Sequence, residues 1–225
     1  MLLGEEAFEK LKKSHVAIIG LGGVGSYAAE AIVRSGIGEI TLIDPYIVNE
    51  SNINRQLCAL NSTVGQYKTD VMACRIRDIS SDVKINALRM FYRAGEREVL
   101  FTLKPEYIID AIDSVPSKID LIKTSIERGI PIISALGTGN KLDPSKLMIG
   151  DIYETFVCPL ARVMRRELRK IGVENHTVLY STEIPITPLI QGEKESTPGS
   201  IAWVPGSAGL MMAGYVVREL ISSQD

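Results

Sequence analysis

The run Gly20-Leu21-Gly22-Gly23-Val24-Gly25 follows directly on the apolar Val16-Ala17-Ile18-Ile19 and precedes an amphipathic stretch from Ser26 to Ser35. A strand that turns on glycines into a helix can cradle phosphate. One glycine permits the turn, another lets backbone N–H groups approach the anion, and a third lets helix and strand pack closely. The phosphate would lie at the helix N-terminus, where free amides and the helix dipole favour negative charge. Gly20, Gly22, Gly23 and Gly25 are therefore expected to bind a nucleotide. Glu39-Ile40-Thr41-Leu42-Ile43-Asp44 then reads as a second strand. It ends in an acid about twenty residues past the loop, where a ribose hydroxyl is normally held.

Further candidates lie at later strand ends. The polar stretch Pro45 to Leu57, with Asn52, Arg55 and Gln56, leaves the carboxyl end of a strand, where open α/β sheets bind ligands. Arg55 and Gln56 are expected to face the nucleotide. Lys68 falls near the first turn of a helix expected over residues 64–79, where the dipole favours acids. It is either a ligand of a bound anion or a solvated surface lysine. Asp110-Ala111-Ile112-Asp113-Ser114 closes another strand, and an aspartate pair facing a nucleotide suits Mg²⁺, which wants one or two carboxylates plus phosphate oxygens. Asp113 is favoured as the metal residue, with the other acid free to cap the following helix. The glycine-rich residues 135–140 also end a strand and could border a substrate.

The elements that must position these residues alternate. Strands are expected at 83–88, 107–110, 130–134 and 147–152 and toward 180–183, with helices at 5–13, 96–103, 116–128 and 159–170. Such alternation predicts an α/β, Rossmann-like, doubly wound and mostly parallel sheet. A single domain of 225 residues accommodates it, with residues 1–140 as nucleotide-binding core and residues 141–225 as a substrate-binding, C-terminal extension. Residues 186–198 read as a polar, proline-bearing loop. The last helix, 206–221, carries small residues Gly209 and Ala213 among methionines and valines, which suits burial against the sheet or a second subunit.

Composition narrows the class. A net charge of −2 excludes little, but Arg162, Arg165, Arg166, Arg169 and Lys170 share one helix with a single acid, Glu167. That face could bind nucleic-acid phosphates or simply be solvated. Cys58, Cys74 and Cys158 are odd in number and form no Cys-x-x-Cys pair, which argues against a disulfide framework or four-cysteine zinc site and for a reducing cytoplasm. The acidic start lacks the pattern of an export signal, and prolines and glycines interrupt the longest uncharged stretch, so no membrane span is expected. His15, at the entry of the first strand, reads as a structural hydrogen-bonder.

Taken together, Gly20-x-Gly22-Gly23-Val24-Gly25-Ser26, Leu42-Ile43-Asp44, Asn52-x-x-Arg55-Gln56, Val64-Gly65-x-x-Lys68 and Asp110-x-x-Asp113 resemble the ThiF/MoeB/HesA superfamily of ubiquitin-activating-like adenylating enzymes. The resemblance implies ATP with Mg²⁺, a carboxylate attacking the α-phosphate, and an acyl adenylate with release of pyrophosphate. It gives Asp44 the ribose, gives Asn52, Arg55, Gln56 and Lys68 the nucleotide, and gives Asp113 the metal. Ser35-Gly36-Ile37-Gly38, Cys158-Pro159-Leu160-Ala161-Arg162 and Tyr180-Ser181-Thr182-Glu183 look like the tRNA threonylcarbamoyladenosine dehydratases within that superfamily. On that branch the substrate is a tRNA carboxylate, the protein is a homodimer, and the helix with Arg162, Arg165, Arg166 and Arg169 touches the RNA. A monovalent cation near the substrate loop and a sulfur-transfer partner are further expectations. The alternative is activation of a ubiquitin-like or sulfur-carrier protein, with Cys158 as a thioester nucleophile. An NAD-dependent oxidoreductase and a non-catalytic nucleotide module rank lower, since the first gives Arg55 and Lys68 no role. Two departures stand out: Tyr46 replaces a second acid common in relatives, and Met1-Leu2-Leu3-Gly4 lacks the arginine that relatives supply across a dimer to ATP.

Overall fold

The computed structural model describes residues 2–187 and 199–222. In chain order they form α1 (Glu5–Leu11), β1 (His15–Ile19), α2 (Gly25–Arg34), β2 (Glu39–Ile43), α3 (Lys68–Ile79), β3 (Lys84–Leu88) and α4 (Arg97–Phe101). There follow β4 (Tyr107–Asp110), α5 (Val115–Glu127), β5 (Ile132–Ala135), β6 (Leu147–Asp151), α6 (Pro159–Lys170), β7 (Thr177–Ser181) and α7 (Trp203–Ser222). The sheet runs β3-β2-β1-β4-β5-β7-β6, parallel throughout except for β6, which pairs antiparallel with β7. The expected doubly wound, mostly parallel sheet is therefore the observed one.

Strand composition explains the layering. Val16 and Ile18 of β1 join a core with α2, α3 and α7, whereas Ala17 and Ile19 face the core made with α4, α5 and α6. Strands covered on both sides must be apolar on both sides, and all five residues of β1 are buried. The chain reverses its direction of winding between β1 and β4, which lie side by side. A crevice opens at such a switch point, outside the strands' carboxyl ends.

Three boundaries differ from the sequence expectation. The helix expected from residue 64 starts at Lys68, because residues 64–67 pair with the loop after β2 instead: Ile47 bridges Tyr67, Val48 N–H donates to Gln66 O, and Gly65 turns at φ 86°. The helix expected over 96–103 is only α4, ended by Lys104 in the left-handed region at φ 52°. The last helix begins earlier than residue 206, since Pro205 is tolerated in a first turn. The loop expected over 186–198 falls almost wholly outside the described residues.

Glycine sets the fit of α7. A Cβ on Gly209 would overlap the Val24 carbonyl oxygen and come within 2.9 Å of Ala28 N, so α7 lies directly on the first turns of α2. Gly214, one face away, is exposed and meets nothing within 4 Å. The same substitution should therefore act with opposite sign in one helix. Gly209→Ala is expected to destabilise by about 2 kcal/mol through overpacking against backbone, and Gly214→Ala to stabilise by about 0.5–1 kcal/mol through helix propensity. Urea titrations of the two variants measure both; a loss at Gly214 or a gain at Gly209 would contradict the packing described.

Candidate nucleotide site

The glycines divide their work as their geometry requires. Gly20 turns at φ 92°, and a Cβ there would stand 2.6 Å from the Ala111 carbonyl oxygen, so the strand exit is closed to any side chain. A Cβ on Gly25 would overlap the Gly20 carbonyl, which lets α2 start tight against the end of β1. Gly22 meets nothing nearer than Gln56 Nε2 at 4.0 Å, and with Gly23 it lines a cavity of about 530 Å³. That volume lies in the usual range for small-ligand sites. Gly20 also reaches its wall, while Gly25 stands behind it.

Asp44, one residue past β2, is buried and locked from both sides. Its Oδ2 accepts Leu21 N–H at 2.7 Å and its Oδ1 accepts Tyr46 N–H at 2.8 Å. A carboxylate offers about four lone-pair positions, so acceptor capacity remains toward the cavity it lines. The following loop is framed by a capping arrangement in which Asn52 Oδ1 accepts Asn49 N–H at 3.1 Å. Asn52 O in turn receives the amides of Arg55 and Gln56. Asn52, expected at the nucleotide, thus shapes the loop and does not line the cavity; its neighbours Arg55 and Gln56 do. Arg55 Nη1 donates to Ser51 O at 3.0 Å and Asn54 Oδ1 at 2.8 Å, and Asn54 Nδ2 ties the loop to Ser200 O at 2.9 Å.

Lys68 is not a solvated surface lysine. Only 6 % of it is exposed, and its ammonium, which lines the cavity, makes no hydrogen bond or ion pair among the described residues. The Tyr46 ring lies beside it, with Nζ 5.5 Å from the centroid. A sequestered cation at a helix N-terminus is unfavourable until negative charge arrives.

The aspartate pair splits into two roles. Asp110 is fully buried, paired with the equally buried Lys118 at 2.8 Å, and it also accepts Ser134 Oγ–H at 2.6 Å and Ile112 N–H at 3.1 Å. Asp113 is exposed in the cavity wall, free to meet a cation. Among the described residues no three His, Cys, Asp or Glu side chains gather as a metal cluster. A Mg²⁺ at Asp113 would complete its shell from phosphate and water.

Sequence reasoning missed the wall at residues 90–93 and the partners that hold it. Tyr92 OH donates to Asp120 at 3.0 Å, Arg97 braces the other Asp120 oxygen at 2.6 Å, and Ser117 Oγ donates to Tyr92 O at 2.9 Å. Phe91 stacks edge-on with Tyr46 at 5.3 Å. The available signal was position: these residues leave the carboxyl end of β3.

The basic helix lies apart from the cavity wall. Arg165, expected on nucleic acid, is turned inward because Nη1 donates to Thr155 O at 2.8 Å and to the Thr155 hydroxyl. Arg166 pairs with Glu167, and the Arg169 guanidinium covers the Tyr153 ring at 4.9 Å. Arg162 is exposed with no partner among the described residues. Neither Cys58 nor Cys158 is presented to a macromolecule: both are buried, and burial pushes the Cys58 thiol up to about 11. His15 is structural as expected, bonded to Thr41 Oγ1 at 2.8 Å.

A glycine turn of this shape, opening on a cavity at a switch point, defines a nucleotide-binding α/β protein. The chain belongs to the ThiF family, whose family model matches residues 1–224. It is 44 % identical over 234 residues to a tRNA threonylcarbamoyladenosine dehydratase of Bacillus subtilis (strain 168), covering 98 % of this chain and 92 % of the relative. The solved structure of the E. coli tRNA N6-threonylcarbamoyladenosine dehydratase in complex with ATP superposes with a TM-score of 0.91 at 32 % identity, covering 98 % of this chain and 91 % of that one. Similarity extends to a sulfur carrier protein ThiS adenylyltransferase of Bacillus subtilis (strain 168), 30 % identical over 142 residues, or 61 % of this chain and 41 % of the relative.

Two expected outcomes test the buried frame beneath the site. Lys118→Met should cost about 3–5 kcal/mol, because it strands the Asp110 charge, and adding Asp110→Asn should recover most of that loss; chemical denaturation of single and double variants decides it. His176 is buried, bonded to Ser134 Oγ at 2.8 Å, and burial with the Lys118 charge lowers its pKa to about 3. The unfolded chain, with an ordinary histidine, binds the extra proton first. Stability should therefore rise with pH between about 3 and 6.5 and fall by about 1 kcal/mol per unit on acidification through that window. His176→Gln should flatten this slope relative to wild type.

Proposed function

We propose that the protein adenylates the threonyl carboxylate of threonylcarbamoyladenosine in tRNA and so drives its cyclic dehydration. The observation that carries the adenylation is Lys68, a largely buried lysine in the wall of the cavity that the glycine loop opens on, with no acceptor for its ammonium among the described residues. Likeness to dehydratases along nearly the whole chain supports the RNA branch.

In this reading Asp44 holds the ribose hydroxyls and the bare amides of Gly22 and Gly23 meet the phosphates. A carboxylate oxygen of the substrate attacks the α-phosphorus, the α–β anhydride bond breaks, and pyrophosphate leaves. Negative charge grows on the departing oxygens, and Arg55 and Lys68 stabilise it more strongly than the ground state. Asp113 would hold Mg²⁺, which when bound neutralises phosphate charge as a Lewis acid. A nucleophile within the same modified nucleoside then displaces AMP from the acyl carbon, and the ring closes with net loss of water. Thr138, on the loop after β5, also lines the cavity. A monovalent cation near this loop, a second copy of the chain, and a cytoplasmic setting belong to the same reading. No helix among the described residues is long and apolar enough to cross a membrane.

A carrier protein's C-terminal carboxylate could undergo the same first step, which the likeness to a sulfur-carrier adenylyltransferase favours, with a sulfur-transfer protein as partner. Burial of Cys158 weighs against a thioester relay.

The decisive experiment is pyrophosphate release from ATP and Mg²⁺, with and without tRNA bearing threonylcarbamoyladenosine. Stimulation by the modified tRNA is expected, with kcat/KM about 100-fold lower in Lys68→Ala and Arg55→Ala. Lys68→Ala should melt no lower than wild type, since it removes an unpaired buried charge. Release indifferent to modified tRNA, or dependent on a carrier ending in Gly-Gly, would overturn the RNA reading.

A further inference from the structure

A strained link precedes α6. Val157 has φ 67°, a region where a β-branched residue is rarely found, and Cys158 N–H donates to Phe156 O at 2.8 Å across it. These features close a three-residue γ-turn of the strained, left-handed kind. Such a conformation persists only where its surroundings hold it. Here Arg165 clamps Thr155 just before the turn, Thr155 and Cys158 are buried, and Pro159 opens α6 just after it.

The first residue of the turn carries an exposed aromatic ring. Phe156 is 53 % exposed, its ring edge-on to Tyr180 with centroids 6.2 Å apart. Tyr180 lies near the carboxyl end of β7, and Cys158 Sγ abuts Gly137. The loop that Gly137 begins includes Thr138, so one short loop borders both the nucleotide cavity and the Phe156 turn. On the other side α6 presents Arg162, Arg166 and Arg169 at the i, i+4, i+7 spacing of a single helix face. Arg162, nearest the turn, is the one of the three with no partner among the described residues.

The geometry points to a second binding site: Phe156 is a stacking platform for an unpaired base of the RNA substrate, with Arg162 on the adjoining phosphate. This rests on the RNA reading above. An exposed ring just before a helix whose first turn carries an unpartnered arginine matches single-stranded RNA, whose splayed bases stack on aromatic faces while cations track the backbone. The phosphate beside a stacked base gives Arg162, unpaired among the described residues, a counterpart. The strain at Val157 then has a use, since a platform must stay rigid as the nucleotide beside it enters the cavity across the 137–141 loop.

The test is fluorescence polarisation of a labelled, unmodified anticodon stem–loop RNA with the full chain, without ATP, over a series of salt concentrations. Phe156→Leu keeps an apolar contact with Tyr180 and removes the π face; it and Phe156→Ala should bind about tenfold more weakly with an unchanged salt slope, while Phe156→Trp should match wild type. Arg162→Ala should weaken binding and reduce the slope of log affinity against log salt by about one. A blunt RNA duplex, held through phosphates alone, should be indifferent to Phe156. All variants should keep wild-type melting and ATP binding. Wild-type affinity in Phe156→Leu and Phe156→Ala, with modified tRNA still converted, would overturn the platform alone. Absence of RNA binding by wild type would overturn both the platform and the RNA reading.

Discussion

The site depends on one ion pair that never meets water. Asp110 and Lys118 are both fully buried, and a charge in that position is tolerable only while its partner and hydrogen bonds stay in place. Asp110 ends β4, the strand beside β1 at the switch point; Lys118 belongs to the first turns of α5. Joining them fixes the turn that carries Asp113, Ser114 and Ser117 into the cavity wall. The same carboxylate receives Ser134 of β5, whose hydroxyl meets a His176 held neutral by burial. The backbone N–H of His176 donates to the Asp151 carboxylate of β6 at 2.8 Å. A polar chain therefore runs under the site from the nucleotide half of the sheet to the edge that carries the antiparallel strand.

Above that frame charges of both signs line the cavity. Asp44 is locked by two backbone amides, whereas Lys68 and Arg55 make no ion pair with a carboxylate among the described residues. A polyanionic ligand supplies the missing charge. Preorganised cations of this sort need no reorganisation when charge migrates toward a leaving group, which is where electrostatic catalysis gains most.

Much of this was readable from residue order, for physical reasons. The strand, glycine and helix pattern admits one local geometry, so the separate duties of Gly20, Gly22 and Gly25 follow from which of them has room for a side chain. That Asp44 and Asp113 would line one cavity was legible because strand ends in a parallel sheet converge. Lys68 remained ambiguous, since spacing alone does not reveal that residues 64–67 would pair with the loop after β2 and tuck the helix start inward. Asp110 had no visible partner, because a lysine eight residues away reads as a surface charge. Arg165 looked like its neighbours on a basic helix; only its clamp on Thr155 distinguishes it. The wall at residues 90–93 carries no motif, being defined by the strand it follows.

The close seat of α7 on α2 makes the two ends of the chain partners in a single equilibrium. Gly209 rests against Val24 and Ala28, next to the turn that carries Gly22 and Gly23 into the cavity wall. If a ligand in the cavity stills that turn, linkage requires that loosening α7 weaken the ligand by the same factor. Amide exchange along α7 would then report on occupancy of the cavity.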